Sequence, residues 1–356
     1  MTSRPLRILV LSGGPSRESG ISLKSGAAVA GGLAARGHDV LPVTIGADGR
    51  WSLPAPGGNS LPGSHGLAQS AAATMSQLAA RSEAGPIDAV FVALHGAFGE
   101  DGTVQGFLET IGVPFTGSGV AASAFAMDKE RTKEILTRHG ITTAPWGSVD
   151  REEWQTDADR AIDRIEAAAG YPAVVKMPRE GSSFGVTLVA DRAALRVAVG
   201  EAVAGIDGRA LVERRIAGTE VTCPVLGNRG GPCRTLPLVE IVPRGREFFD
   251  FEAKYEGRSA EICPARIDEE LAARVRAAAI TAHRVLGCDG VSRSDFIVDQ
   301  GGVPYFLETN TVPGMTEQSL CPLSARAAGI EFPRLCEMLV ELAIERRQRS
   351  MSVRDL

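Results

Sequence analysis

The stretch from Val291 to Asn310 constrains the fold more than any other part of the chain, because it predicts two strands and their register. Gly301-Gly302 is a pair typical of two-residue hairpin turns, and runs rich in Phe, Val, Ile and Tyr flank it. Side chains alternate between the two faces of a strand. The position of the turn therefore predicts which residues of the two strands face each other.

This turn places four polar side chains on one face of the predicted hairpin. Arg293 lies opposite Asn310, and Asp295 lies opposite Glu308. Opposed like charges destabilise a ladder unless a cation lies between them, and two carboxylates with an amide oxygen suit Mg²⁺. The other face, which we expect to point to the core, carries Phe296, Val298, Tyr305 and Leu307. The pattern favours a metal site over a solvated face with two unrelated acids.

Length and composition indicate a soluble globular protein of two or three domains. The chain has 356 residues, of which 44% are hydrophobic and 23% charged. A net charge of −5 argues against a nucleic-acid partner. Six cysteines without a CxxC pair are typical of a reduced, cytoplasmic protein, and no apolar run is long enough to cross a membrane.

Alternating strand and helix patterns predict an α/β protein whose N-terminal domain has a parallel sheet. The predicted strands are Arg7–Leu11, Asp88–Leu94, Ala173–Met177 and Val186–Ala190. The predicted helices are Ser22–Arg36, Val120–His139, Glu269–Leu286 and Phe332–Arg347. The segment Trp51–Gly66 is rich in Pro, Gly and Ser and is predicted to be a surface loop.

A glycine-rich segment between two predicted strands is a candidate phosphate site. The chain contains neither GxxxxGK[ST] nor GxGxxG, but Gly181–Gly185 includes Ser182 and Ser183. Its N–H and hydroxyl groups could surround phosphates, although a plain hairpin turn fits equally well. The neighbouring Lys176 lies within an apolar strand and favours phosphate binding over an edge position.

Three further positions are open to two readings from the residues alone. His95 follows a predicted buried strand at the edge where α/β sheets bind ligands, but the residues alone favour a structural histidine. Glu18 lies at the same kind of edge, at the first strand–helix turn, and the residues alone favour an exposed loop acid or a residue at the start of the helix. Lys254-Tyr255 lies in a stretch of mixed aromatic and charged residues that could be a loop.

Seven ordered motifs resemble the ATP-grasp family, and within it the D-alanine–D-alanine ligases. They are GGPSRE, LHGAFGEDGTVQG, TGSGVAASAFAMDK, REGSSFGV, FFDFEAKY, GCDGVSRSDF and LETNTVPGMTEQSL. The resemblance implies three domains: an N-terminal α/β substrate domain at 1–118, a central ATP-grasp domain at 119–210 and a C-terminal one with the metal site at 211–356. It implies that ATP phosphorylates one D-alanine, and that a second D-alanine displaces the phosphate in a step of peptidoglycan precursor synthesis.

The resemblance also implies a role for each matching position. The ligands of two Mg²⁺ ions, with Mn²⁺ as an alternative, would be Asp295, Glu308 and Asn310. Contacts to ATP would come from Lys129, Lys176, Ser183, Glu213, Ile216, Glu220 and Lys254. Substrate contacts would come from Glu18, His95, Arg293, Gly314, Ser319 and Leu320. The residues implied to act in catalysis are Glu18, Ser182, Tyr255 and Arg293.

Departures from the family pattern keep related functions open. Ser19-Gly20 replaces charged residues near the first substrate, Phe184 replaces a small aliphatic residue, and Ser294 replaces an apolar one. The alternatives are a ligase that uses D-lactate, D-serine or another D-amino acid, and a regulator without catalysis. The implied partners are D-alanine and ATP, without nucleic acid or membrane, and a homodimer is left open.

Overall fold

The structure is a computed structural model that describes residues 4–53, 70–80, 85–181, 185–243 and 259–354. Within these ranges the strands form three sheets, and helices pack against them. This confirms the predicted α/β class. None of the described helices combines the length and apolar character that a membrane span needs.

The first sheet consists of the strands β1 (Arg7–Gly13), β2 (Asp39–Ile45), β3 (Trp51–Ser52) and β4 (Ala89–Val92), and its helices are α1 (Ser19–Ala35), α2 (Ala71–Ala80) and α3 (Thr103–Ile111). The strand order is β3-β2-β1-β4, and of these four strands β2, β1 and β4 are parallel to one another. The surface-loop prediction is wrong at its start, since Trp51 is 1% exposed and packs edge-on against Phe107.

The predicted helix Val120–His139 is two helices, α4 (Val120–Met127) and α5 (Lys129–Arg138). Asp128 separates them in an extended conformation, and its side chain accepts a hydrogen bond from the backbone N–H of Arg131. A side chain that caps the next helix satisfies an N–H group that the helix itself leaves unpaired. The break therefore makes Lys129 the first residue of α5.

The second sheet is antiparallel and has the order β5-β8-β6-β7. Its strands are β5 (Trp146–Asp150), β6 (Ala173–Lys176), β7 (Thr187–Val189) and β8 (Arg209–Arg214), and its helices are α6 (Arg151–Thr156), α7 (Ala158–Ala169) and α8 (Arg192–Ala204). The predicted boundary between residues 210 and 211 falls inside β8. The three-domain division stays a prediction, and the sheets favour placing that boundary after Arg214.

The third sheet has the order β12-β11-β9-β13-β14, and β10 pairs with β9. Its strands are β9 (Gly218–Leu226), β10 (Arg234–Thr235), β11 (Val239–Pro243), β12 (Ser259–Ile262), β13 (Val291–Asp299) and β14 (Pro304–Asn310). The helix α9 covers one face and spans Glu269–Leu286, as predicted. It begins at the capping side chain of Asp268 and ends at Gly287, whose φ of 76° is a conformation that favours glycine.

The last two helices are α10 (Leu320–Ala327) and α11 (Phe332–Arg354). The helix α11 is longer than the predicted Phe332–Arg347, because the residues that follow Arg347 include neither Gly nor Pro to end it. Its buried residues Leu335 and Leu339 belong to the same core as Val29 and Leu33 of α1. The C-terminal helix therefore packs on the first sheet's helix layer.

Candidate active site

The antiparallel pair β13 and β14 carries the predicted polar face. Arg293 is paired with Asn310, and Asp295 is paired with Glu308, so the predicted register is confirmed at these positions. Arg293 and Asp295 are each 6% exposed. The two carboxylates therefore lie directly across the ladder from each other, and at least one cation is needed to offset their repulsion.

The turn and the core-facing residues differ from the prediction. The loop contains three residues, Gln300 to Gly302, since the N–H of Asp299 donates to the carbonyl of Val303 at 3.0 Å. Beyond Asp295 the register shifts by one, so that Phe296 pairs with Phe306 and Leu307 is the extra residue of a β-bulge. Phe306, rather than Tyr305 and Leu307, is therefore buried against Phe296.

The carboxylate of Asp295 is held by several hydrogen-bond donors. Arg293 binds it through two atoms, with Nε–Oδ1 and Nη2–Oδ2 distances of 2.9 Å each. The buried hydroxyl of Thr222 donates to Oδ1, and Nδ2 of Asn310 lies 3.4 Å from Oδ2. These contacts fix the orientation of Asp295 and balance its charge.

Lys129 balances the charge of the second carboxylate. Its Nζ lies 3.1 Å from Oε2 of Glu308 and donates to the backbone carbonyl of Glu180 at 2.8 Å. Burial acts to lower the pKa of Lys129, but the carboxylates of Glu308 and Glu213 outweigh this effect and raise its pKa. Lys129 is therefore a cation at neutral pH.

A hard divalent cation needs oxygen ligands, and the hairpin supplies them through Asp295, Glu308 and Asn310. In the structure the carboxylate of Asp295 is paired with Arg293, and that of Glu308 is paired with Lys129. Among the described residues no group of three or more His, Cys, Asp and Glu side chains could hold a metal ion. The donor set on the hairpin, two carboxylates and one amide, fits a magnesium ion that completes its shell with substrate oxygens.

A cleft of about 450 Å³ lies between the second and third sheets. Its polar wall includes the predicted residues Lys129, Lys176, Glu213, Glu220, Arg293, Asp295 and Glu308. Its apolar wall includes Val174, Met177, Ile297, Leu307 and the predicted residues Ile216 and Leu320. The structure therefore brings together, in one cleft, charged and apolar groups from segments that are far apart in sequence.

Glu213, at the end of β8, is the centre of a buried charge cluster. Its two carboxylate oxygens form ion pairs with Lys133 and Lys176. Burial acts to raise the pKa of Glu213, but the two ammonium groups lower the pKa to about 2. Glu213 is therefore ionised and held on two sides.

His95 and Glu18 lie at the carboxyl edge of the first sheet, as their positions predict. His95 is 5% exposed; its Nε2 is 3.0 Å from the hydroxyl of Ser25 and its Nδ1 is 3.1 Å from the carbonyl of Val312. The carboxylate of Glu18 lies against the backbone at Gly181, where an added Cβ would be 3.0 Å from Oε2. Glu18 thus reaches the glycine-rich segment.

The segment before α10 approaches the same edge. The N–H of Met315 donates to the Ser25 hydroxyl at 3.3 Å, and the Ser319 hydroxyl is bonded to Thr316. An added Cβ at Gly314 would lie 3.0 Å from Oγ of Ser319, so a larger residue would disturb this turn. Gly314 and Ser319 are therefore close together beside the histidine site.

Some predicted positions lie outside the residues that the structure describes. They are Ser182, Ser183, Phe184, Lys254, Tyr255 and residues 54–66 of the predicted surface loop. Two departures can be located. Gly20 is exposed and an added Cβ would meet no atom within 4 Å, and the Ser294 hydroxyl is bonded to that of Thr309 at 2.8 Å.

Two residues of the site were missed in the sequence. Thr222 lies in β9 and its hydroxyl reaches Asp295 across the neighbouring strand, which no local pattern indicates. No role was predicted for Lys133, although it follows Lys129 by four residues and this spacing puts both lysines on one side of a helix.

The chain is similar to known proteins over nearly its whole length. Two family models, described as D-ala D-ala ligase N-terminus and D-ala D-ala ligase C-terminus, match residues 7–118 and 135–341. The chain is 42% identical to the D-alanine–D-alanine ligase of Leptospira interrogans serovar Lai over 353 residues, covering 96% of this chain and 99% of the relative.

The chain is also similar to solved structures of ligases over nearly its whole length. The D-alanine–D-alanine ligase of Bacillus anthracis, solved in complex with ATP, is 31% identical with a TM-score of 0.73, covering 97% of this chain and 99% of the other. The VanG D-Ala:D-Ser ligase of Enterococcus faecalis is 30% identical with a TM-score of 0.78, covering 96% of this chain and 100% of the other. Both similarities extend across all three sheets.

Proposed function

Because the chain belongs to the D-alanine–D-alanine ligase family and has its ATP-grasp fold, we propose that it joins two D-alanine molecules in an ATP-dependent, ADP-forming reaction. The dipeptide would serve as a peptidoglycan precursor. The observation that carries this proposal is that one cleft contains Arg293, Lys129 and Lys176 together with the Asp295–Glu308 pair. These are the groups that an acyl-phosphate reaction requires.

The chemistry explains why so many cations are present. A carboxylate is a poor acyl donor, whereas its phosphorylated form carries a good leaving group. Transfer of a phosphoryl group to an anion needs positive charge and accurate positioning. Lys129 and Lys176 would hold the phosphates of ATP, with Ser183 beside them, and Lys254 would hold the transferred group.

The purine and ribose would occupy the cleft wall formed by the end of β8 and the start of β9. The carboxylate of Glu213 can accept a hydrogen bond from the adenine amino group, which guanine lacks at that position. Ile216 and Leu307 offer apolar contact to the base, and Glu220 can bind the ribose hydroxyls. This arrangement favours ATP over GTP.

Asp295, Glu308 and Asn310 would hold two Mg²⁺ ions, or Mn²⁺. When bound, the ions would neutralise phosphate charge. Arg293 would stabilise the oxyanion of the tetrahedral intermediate, aided by the backbone N–H near Gly314. Since Arg293 is already fixed by Asp295, its guanidinium is oriented before the substrate arrives.

The two D-alanine molecules would bind between the cleft and the edge of the first sheet. Glu18 would pair with the ammonium group of the first D-alanine, and His95 would lie beside it. Ser319 and Leu320 would contact the second. The set Glu18, Ser182 and Tyr255 would orient the substrates, and closure of a loop over the site would exclude water, which would hydrolyse an acyl phosphate.

A second function differs only in the second substrate. The similarity to VanG, a D-Ala:D-Ser ligase, is compatible with D-serine as the second substrate but does not favour it. Tyr255 and Leu320 match the dipeptide-forming members. D-Alanine is therefore the substrate we propose.

The test is an assay of the purified protein with ATP, Mg²⁺ and a panel of D-amino and D-hydroxy acids, with products identified by mass. We expect ADP, phosphate and D-alanyl-D-alanine, and each should require both D-alanine and Mg²⁺. Arg293→Met should abolish dipeptide formation. Arg274→Met is the matched control, because Arg274 contacts the turn of the same hairpin through the Gly302 carbonyl and should leave turnover unchanged.

The outcome separates the alternatives. A main product that contains D-serine or D-lactate would replace D-alanine as the second substrate. If ATP binds but no substrate leads to ADP formation, the proposed enzymatic activity is wrong, and a regulator without catalysis is the remaining interpretation.

A further inference from the structure

Lys133 is a buried cation to which the proposed reaction assigns no role. It is 0% exposed, and lysine is almost never fully buried unless it is paired. It does not line the cleft, since Lys129 and Lys176 are the lysines among the residues described there. Its burial carries a desolvation penalty that must be offset by specific contacts.

The contacts of Lys133 join the two sides of the cleft. Its ammonium group forms an ion pair with Oε1 of Glu213, at the end of β8 in the second sheet. The same group donates to the backbone carbonyl of Phe306, in β14 of the third sheet, at 3.3 Å. One buried side chain therefore connects the two sheets directly behind the cleft.

Each of these contacts fixes a group that lines the base site. Phe306 immediately precedes Leu307, the extra residue of the bulge, whose side chain lines the apolar wall. Glu213 offers Oε2 to Lys176, so Lys133 is the partner that holds Oε1. Without Lys133, the carboxylate of Glu213 could rotate toward Lys176, and the bulge would lose the hydrogen bond to the Phe306 carbonyl.

We propose that Lys133 is a positioning residue for the nucleotide, which fixes Glu213 and Leu307 and thereby sets the affinity for ATP and the preference for adenine. The proposal rests on the proposed function, because it requires ATP in this cleft. Lys133 does not touch the nucleotide. It acts through the carboxylate of Glu213, whose orientation must be fixed if this acceptor is to distinguish the amino group of adenine from the carbonyl oxygen of guanine.

The test compares steady-state kinetics with ATP and GTP for wild type and Lys133→Met, which keeps the length of the side chain and removes its charge. We expect KM for ATP to rise by about 10- to 100-fold, because this is the change in affinity that follows the loss of one charge-assisted hydrogen bond. The ratio of kcat/KM for ATP to that for GTP should fall by about 10-fold, while KM for D-alanine should stay within about twofold of wild type.

The matched control is Arg346→Met. Arg346 is a partly buried cation; it contacts the carbonyls of Phe115 and Gly117 and faces Asp289, away from the cleft. Its loss should lower the melting temperature without changing the ATP-to-GTP ratio. A loss of buried charge in general is thereby separated from a loss of base positioning.

A second variant covers the case in which Lys133→Met does not fold. Lys133→Gln keeps an N–H donor and should show a smaller change in the same direction. Folded variants with the wild-type KM for ATP and the wild-type base preference would overturn the proposal, and so would a failure of both to fold. An inactive wild type would instead reject the proposed function, because that result does not depend on Lys133.

Discussion

Glu308→Gln tests the electrostatics of the carboxylate pair. The pair taken by itself predicts that this variant spares or improves folding, because the repulsion between Asp295 and Glu308 is relieved. The structure reverses this expectation. Asp295 already has its own partner in Arg293, and Glu308 is the partner of Lys129. The substitution therefore removes an attraction more than a repulsion.

The magnitude follows from the burial of the ion pair. The side chains of Lys129 and Glu308 are 11% and 25% exposed. An exposed ion pair contributes about 0–1 kcal/mol, and breaking a buried one costs about 3–5 kcal/mol. Lys129 keeps its hydrogen bond to the Glu180 carbonyl, so we expect a loss of about 1–2 kcal/mol and a melting temperature lower by a few degrees.

The pH of the measurement follows from the sign of the shift. The pKa of Lys129 is raised in the folded protein, so the ion pair contributes fully at neutral pH. That contribution is lost only as the pH rises through the raised pKa, above the ordinary value of 10.5. Thermal unfolding at pH 7 without metal and nucleotide therefore reports the whole effect.

The assay combines this unfolding measurement with turnover. Activity should fall by about 10²–10³-fold, as for the loss of one contact to developing charge. Glu134→Gln is the control, since it breaks an exposed ion pair with Arg131 and should change neither quantity appreciably. A Glu308→Gln protein more stable than wild type would refute the role of Lys129, and normal turnover would remove Glu308 from the metal site.

Three further substitutions test other parts of the structure. The pKa of the buried His283 is lowered to about 4, so stability should fall by about 3 kcal/mol as the pH drops from 6.5 to 4, and urea unfolding of His283→Gln should show a flatter pH dependence. Thr222→Val removes a donor to Asp295 and should lower kcat by about 10-fold in steady-state assays; unchanged kcat would mean that Arg293 alone orients the carboxylate. Tyr255→Phe should raise the share of D-lactate product in a competition assay read by mass spectrometry, and an unchanged ratio would show that Tyr255 does not set selectivity.

The hairpin of β13 and β14 shows how much of the site a local sequence pattern can predict. Strand period and a glycine turn predicted that Asp295 faces Glu308, and the structure confirms this pairing. The prediction holds because two irregularities cancel: the loop has three residues instead of two, and the bulge at Leu307 restores the register. The bulge itself was not predicted, since packing of Phe306 against Phe296 in the core selects it.

The sequence by itself determined the parts that depend on neighbours along the chain. The helix Glu269–Leu286 and four of the eight strands of the first two sheets, β1, β4, β6 and β7, follow from apolar period, caps and glycines. The break at Asp128 was missed although its signal is local, because an aspartate before a helical run is also compatible with a continuous helix.

Only the tertiary structure decided which charges are buried and what they pair with. Lys133 and Glu213 are separated by 80 positions in sequence, yet they form one ion pair behind the cleft. Thr222 and Asp295 likewise meet only because β9 lies beside β13. A charged side chain can be buried only when a partner offsets its desolvation, and that partner is supplied by the packing of distant segments, which no local pattern encodes.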